Sequence, residues 1–290
     1  MAYTFYRDYP FEHFFKLFGY GANGKSVFTG LLTKLHGTRN VSNVSLLSLI
    51  ATRFALADLE FKDINIDAEL SVAVIKDTSL LKKLTGGRKQ PMRIEQKYKN
   101  AYDTYLYAKL FFNANTITDT TDQTAAYYRR QIIISFPNTF EGKQDDPQLL
   151  NKLTSQEEMS GIFNVLMHAL RTLLKNNGIY LNEKTIDERT AKHERAVNPV
   201  KAFVTEAIAE DLTEMDYVIK IDLYSAFKKW CKKHSLAPKS IEGLGKDLKK
   251  LGWIDSKKSQ GEKRYTCWIG ARLKLEYVAV DEQKMVTLWN

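Results

Sequence analysis

The residues best equipped for chemistry lie near the start of this 290-residue chain. Gly19-x-x-x-x-Gly24-Lys25-Ser26 has the spacing of a Walker A phosphate-binding loop. Glycines let consecutive backbone N–H groups turn inward around phosphate oxygens, and a helix beginning where the loop ends adds its partial positive charge. In that arrangement Lys25 neutralises the β and γ phosphates of a nucleotide and the Ser26 hydroxyl ligates Mg²⁺. The candidate nucleotide-binding residues are Gly19, Gly21, Ala22, Asn23, Gly24, Lys25, Ser26 and Val27. Hydrolysis also needs carboxylates at a strand end, and Asp63-Ile64-Asn65-Ile66-Asp67-Ala68-Glu69 offers them. Ser26 and Asp67 are the candidate metal ligands. Which of Asp67 and Glu69 polarises the attacking water stays open.

These residues need a strand before the loop and a helix after it. The apolar run at residues 14–18 supplies the strand, and Val27, Leu31, Leu32 and Leu35 keep helical spacing until Gly37. Short runs at residues 64–66, 106–112 and 131–136 are rich in β-branched or aromatic side chains, as strands buried on both faces should be. A mainly parallel α/β sheet is expected. From Ser155 the pattern turns helical: Ser155-x-x-Glu158 is a capping box, and Ile162, Val165, Leu166, Ala169, Leu170 and Leu173 form an apolar stripe. Residues 182–198 are polar and precede Pro199, which marks a domain boundary. Beyond it, helices at 200–208, 222–234 and 240–251 and a hairpin at 253–269, turning at Gln260-Gly261, describe a winged helix.

The composition, with 44% hydrophobic and 27% charged residues, is that of a globular protein and excludes fibrous and low-complexity classes. No apolar run approaches a membrane span and no signal peptide opens the chain, so a cytoplasmic protein without membrane contact is expected. Cys231 and Cys267 lack metal-ligand partners at finger-like spacing, so reduced thiols are expected. The net charge of +9 is concentrated in two islands. Residues 228–264 carry twelve Lys or Arg against four acids, and residues 82–99 carry seven against Glu95 alone. The remainder is net acidic. Two islands in an acidic background point to a polyanion, because each cation set on a phosphate releases counterions. His168 and His193 show no nucleophile or metal pattern, and Trp230, Trp253 and Trp268 sit at core spacing.

The order of features resembles superfamily 3 helicases of the D5/P4 type, found in plasmid, phage and viral replication proteins. Leu84-Thr85-Gly86-Gly87 followed by residues 92–99 is similar to the family's B′ motif and its DNA-contacting hairpin. Lys109-Leu110-Phe111-Phe112-Asn113-Ala114-Asn115 is similar to motif C, with Asn115 at the sensor position. Asp122-x-x-x-Ala126-Tyr127-Tyr128-Arg129-Arg130 resembles the segment bearing the arginine finger, where Arg130 fits better than Arg129 without excluding it. The tail resembles the winged-helix module of crenarchaeal plasmid primase-polymerase-helicase proteins. The loop begins only 18 residues into the chain, so the resemblance implies a piece of a longer protein.

The resemblance implies an AAA+ ATPase core over residues 1–140, a helical segment and linker over 141–198, and a winged-helix DNA-binding domain over 199–290. It implies ATP and Mg²⁺ at subunit interfaces of a homo-oligomer, hexameric in the full-length parent. Lys25, Asp67, Glu69, Asn115 and Arg130 are then catalytic. A single DNA strand in a central channel would meet Arg93, Lys97 and Lys99. Duplex DNA would meet Lys246, Lys249 and Lys250 on a recognition helix and Lys257, Lys258, Lys263 and Arg264 on the wing. The expected activity is ATP-dependent unwinding in plasmid or viral replication. An ATP-switched initiator or loader without processive unwinding is the rival; a small-molecule kinase shares the loop but explains neither basic island.

Overall fold

The structure, a computed structural model, describes residues 1–70, 78–89, 91–115, 124–140, 142, 145–180, 185–213, 215–260 and 263–278. The chain divides into two compact units, Met1–His193 and Glu194–Asn290.

The first unit holds a five-stranded sheet. Its strands are β1 (Phe14–Phe18), β2 (Val41–Ser42), β3 (Ile64–Asp67), β6 (Lys109–Ala114) and β7 (Gln131–Ser135), in the order β2-β3-β6-β1-β7. Every pairing is parallel, as expected. Strand β1 is buried along its whole length because the sheet is covered on both faces. Phe14, Leu110 and Phe112 enter one core, while Phe15, Leu17 and Phe111 enter the other beside Leu32 of helix α1 (Lys25–His36). The alternation follows from the two-residue period of a strand. Phe15 and Phe111 stack with centroids 4.8 Å apart.

Between β3 and β6 the chain forms α3 (Ser79–Leu84) and a small antiparallel hairpin, β4 (Met92–Ile94) with β5 (Tyr102–Thr104). Helix α2 (Leu46–Ala51) precedes β3, and α4 (Ala125–Tyr128) precedes β7. The strand expected at 106–112 starts at Lys109, because residues 105–108 carry the chain in from the hairpin. Lys109 is fully buried, yet its ammonium donates to the Tyr6 and Tyr107 carbonyls at 2.7 and 3.1 Å. With the Tyr9 hydroxyl donating to the Ala108 carbonyl at 2.6 Å, this fastens the N-terminal segment across the amino edge of the sheet. The unit continues through α5 (Leu149–Leu153) and α6 (Gln156–Lys175). The Ser155 cap accepts the Glu158 N–H, yet Leu173 is the one fully buried residue of α6, and Val165 is exposed.

The polar stretch read as a boundary contains α7 (Ile186–Val197). Its start is a second capping box: Glu188 accepts the Thr185 N–H at 2.9 Å and the Thr185 hydroxyl accepts the Glu188 N–H at 3.2 Å. The division into units falls inside this helix.

The second unit contains α8 (Pro199–Ala207), α9 (Lys220–Lys233) and α10 (Ile241–Lys250), with a hairpin of β9 (Asp255–Gln260) and β10 (Lys263–Ile269). A third strand, β8 (Tyr217–Ile219), which the sequence reading missed, pairs with β10. Gly261 of the expected turn lies outside the described residues. Trp230 and Trp268 are buried in this unit, as are both cysteines, and burial pushes the Cys231 thiol up to about 12.

Candidate functional site

The loop after β1 leaves the carboxyl edge of the sheet. Gly19 donates its N–H to the Ala114 carbonyl at 3.2 Å, and Phe140 donates to the Ala22 carbonyl at 2.7 Å. Gly21 and Gly24 have φ of 112° and 83°, and a Cβ at either would touch nothing. Backbone conformation, not crowding, therefore calls for glycine at both. Gly19 is the reverse case, where a Cβ would collide with the Phe136 carbonyl and the Asn23 amide. Helix α1 starts at Lys25, so its first N–H groups face the loop.

A cleft of about 560 Å³ opens over this loop. It is bounded by residues 21–27, Glu69, Asn113, Asn115, Phe140 and Asp146. The Lys25 ammonium donates to the Gly19 carbonyl and, at 3.2 Å, to the Asn23 amide oxygen. Burial pulls its pKa down from the ordinary lysine value. A cation held by one backbone and one side-chain amide oxygen, both neutral, gains a stronger partner in an anion.

The two carboxylates are separated by the fold. Asp67 is buried, with one oxygen accepting the Leu46 N–H at 2.8 Å and the other the Glu69 N–H at 3.3 Å, and it does not line the cleft. Glu69 is exposed and lines it. Asn115, predicted as a sensor, lines it as well. So does Asn113, which the sequence reading passed over: its amide oxygen is buried without a partner. The strand period places residues 113 and 115 on the same side, so the signal was present in the sequence.

Arg129 and Arg130 stand at the other edge. Phe14 pairs with Gln131 and Phe18 with Ser135, so both arginines precede the amino end of β7 while the loop follows the carboxyl end of β1. They do not join the cleft of their own chain. Arg130 is buried, its guanidinium held by Glu12 at 2.6 Å and by the Ala126 carbonyl at 2.7 Å. Arg129 meets the same Glu12 oxygen at 2.9 Å with about half of its side chain in solvent. Asp122, the first residue of that motif, lies outside the described residues.

The hairpin β4–β5 presents a basic tip. Lys97 and Lys99 are exposed in its turn, and between them Tyr98 is fully exposed with φ of 63°. On the stem the charges are balanced, Arg93 with Asp103 at 3.9 Å and Glu95 with Arg53 at 3.1 Å. In the second unit Lys246, Lys249 and Lys250 are exposed on α10. Lys249 meets Asp255 at 3.3 Å and Lys250 meets Asp247 at 3.1 Å, which leaves Lys246 as the least compensated of the three. Lys246 and Lys249 border a cavity of about 350 Å³ with Lys220 and Trp268. On the hairpin, Lys257 pairs with Thr266 and Arg264 with Ser259, one face of the ribbon, while Lys258 is opposite Tyr265 on the other. The side chain of Lys263 lies outside the described residues. His193, expected to do no chemistry, is buried against the Tyr127 and Tyr128 rings and meets the Gln131 amide nitrogen at 3.0 Å.

Two family profiles match the chain. One, a family of unknown function (DUF5906), matches residues 17–130, which run from the glycine loop to Arg130. The other, poxvirus D5 protein-like, matches residues 195–275. Among solved structures the fold is similar to the apo structure of the NrS-1 C-terminal region, with TM-score 0.50 and 14% identity over 93% of this chain and 70% of that one. A second form of that region aligns with TM-score 0.47 and 12% identity, covering 93% and 69%. A JCV helicase with a bound phenylacetamide compound aligns over 78% of this chain and 57% of that one, with TM-score 0.31 and 16% identity.

Proposed function

We propose that this chain is the motor part of an ATP-dependent DNA helicase of the D5/P4 type, working in plasmid or viral DNA replication. The observation that carries the reading is the distribution of groups on one parallel sheet. A glycine loop with Lys25, a carboxylate at Glu69 and two asparagines share the carboxyl edge, while two arginines stand at the amino edge. Such a site is complete only when one subunit's cleft faces another's arginines, which makes a homo-oligomer, hexameric in the parent, the working form. The poxvirus D5 protein-like match over residues 195–275 supports the same reading.

The cleft fits ATP with Mg²⁺. Its loop has left-handed positions without a Cβ, its lysine is held by neutral oxygens, and Asn113, whose amide oxygen is buried without a partner, borders it. Of the oxygen donors proposed from the sequence, Ser26 lines the cleft and Asp67 does not, so the Ser26 hydroxyl would hold Mg²⁺. Mg²⁺ supplies charge neutralisation across the phosphates when bound. Glu69 is the residue that orients and deprotonates water. Asp67, tied to two backbone N–H groups, positions the β3 end and the chain leading to Glu69. Asn113 and Asn115 hold the terminal phosphate and the water in line.

The basic hairpin grips a single strand through Lys97 and Lys99, with Arg93 on its stem. The second unit is a winged helix whose α10, through Lys246, Lys249 and Lys250, and whose wing, through Lys257, Lys258, Lys263 and Arg264, anchor duplex phosphates. The test is ATP-dependent displacement of a labelled strand from a forked duplex by the wild-type chain and by Lys25→Ala. Displacement by wild type alone supports the motor. DNA binding that responds to ATP without any displacement supports the initiator instead.

A further inference from the structure

The amino edge of the sheet carries a device that the nucleotide cleft does not explain. Glu12 sits in the left-handed region with φ of 57°, a conformation that costs a non-glycine residue free energy and persists where the surroundings enforce it. Those surroundings are the N-terminal segment, pinned by Tyr9 and Lys109, and the backbone of residues 126–131. The Glu12 carboxylate is shared by Arg130 at 2.6 Å, Arg129 at 2.9 Å and Lys89 at 3.8 Å. One carboxylate thus faces three cations, and the cluster keeps a positive excess. A third arginine contributes from α7: Arg189 donates to the Arg129 carbonyl at 2.7 Å. Beside the cluster a cavity of about 500 Å³ opens, bordered by Glu12, His13, Arg129 and Arg189 but not by Arg130.

The two arginines are not equivalent in this cluster. Arg130 has about 10% of its side chain in solvent, and its two terminal nitrogens are taken by Glu12 and the Ala126 carbonyl. Swinging it outward would take its charge from Glu12 and leave the Ala126 carbonyl without its guanidinium donor. Arg129 is about half exposed beside the open cavity, and Glu12 is its one ion-pair partner among the described residues. We infer that Glu12 is a positioning residue that uses buried Arg130 as a fixed counter-charge and aims Arg129 outward, so that Arg129 meets the nucleotide phosphates of a neighbouring copy of this chain. The inference rests on the proposed shared-site hydrolysis and assigns within it which arginine acts and what holds it.

The experiment is hydrolysis by mixed subunits of the 290-residue chain, measured as phosphate release at saturating ATP. Lys25→Ala has a dead cleft and intact arginines; Arg129→Ala has an intact cleft and no outward arginine. Each alone falls by about 10³-fold or more, the loss typical of a missing arginine finger or phosphate lysine. Mixed in equal amounts, about a quarter of random interfaces pair a live cleft with a live arginine, and activity returns. Glu12→Gln keeps its own cleft, so it loses turnover with little change in KM, regains activity when mixed with Lys25→Ala, and does not when mixed with Arg129→Ala. Glu12→Asp recovers part of the turnover alone.

A Glu12→Gln chain with wild-type turnover, or one that Lys25→Ala fails to rescue while rescuing Arg129→Ala, overturns the inference and leaves shared-site hydrolysis standing. The deciding single variant is Arg130→Lys. It keeps a cation beside Glu12 and so loses less turnover than Arg129→Lys if Arg130 is a counter-charge, and loses about 10³-fold if Arg130 is the residue that reaches phosphate, which also overturns the inference. If wild type shows no concentration-dependent hydrolysis and no pair complements, the shared site itself fails.

Discussion

Removing the two lysines at the hairpin tip should change how binding responds to salt, by an amount the geometry sets. Lys97 and Lys99 are exposed and have no acidic partner among the described residues, whereas the stem charges are paired. If each lies on one phosphate, the slope of log K against log salt for a single strand loses about 0.7 per lysine, roughly 1.4 for Lys97→Ala with Lys99→Ala. Between 50 and 200 mM salt, that difference corresponds to about a sevenfold smaller loss of affinity for the variant than for wild type. The assay is fluorescence anisotropy of a labelled single-stranded oligonucleotide at four or five salt concentrations. Both proteins carry the same second unit, so its contribution cancels in the difference. An unchanged slope would refute phosphate contact at the tip, and the hairpin would then be a solvated surface feature.

Three further outcomes follow from particular side chains. Tyr98→Ala should weaken single-strand binding by about five- to 150-fold at every salt concentration without altering the slope, because stacking on a base releases no counterions; a changed slope would refute stacking. Asn113→Ala should cost less than about 1 kcal/mol of stability, since its buried oxygen loses no partner, yet lower ATP turnover by about 10²-fold; thermal melting and turnover measured on the same sample check the dissociation. His13 and His193 are each pulled down to about 3 from 6.5, chiefly by burial. The unfolded chain therefore binds two more protons than the folded one between about pH 3 and 6.5, so stability falls as pH drops through that window, by about 1.4 kcal/mol per pH unit per histidine where fully developed. Urea unfolding at pH 5 and 6 should show a shallower pH dependence for His193→Gln, by one proton; an unchanged dependence would refute the assignment.

The glycine loop was legible in sequence because phosphate chemistry demands fixed residues at fixed spacing, and the parallel sheet because strands covered on both faces become short apolar runs. What escaped was carried by residues whose role depends on distant partners. The ion pair of Glu12 with Arg129 and Arg130 joins positions more than a hundred residues apart, so the choice between the arginines had no local signal. Asp67 and Glu69 look alike along the chain and differ only because Leu46 at the start of α2 donates to the first. Strand β2 has two residues and β8 three, too few for a period to register. Helix α7 was legible and overlooked, its Thr185-x-x-Glu188 box lying in a stretch whose polarity resembled a linker.

The central claim is that the cleft over Gly19–Ser26 hydrolyses ATP in response to DNA. The most direct measurement is phosphate release by wild type and Lys25→Ala, with and without single-stranded DNA, over a range of protein concentrations. The account predicts wild-type turnover that rises with DNA and, per subunit, with protein concentration, and that Lys25→Ala abolishes. Turnover indifferent to DNA, or surviving the loss of Lys25, would contradict it.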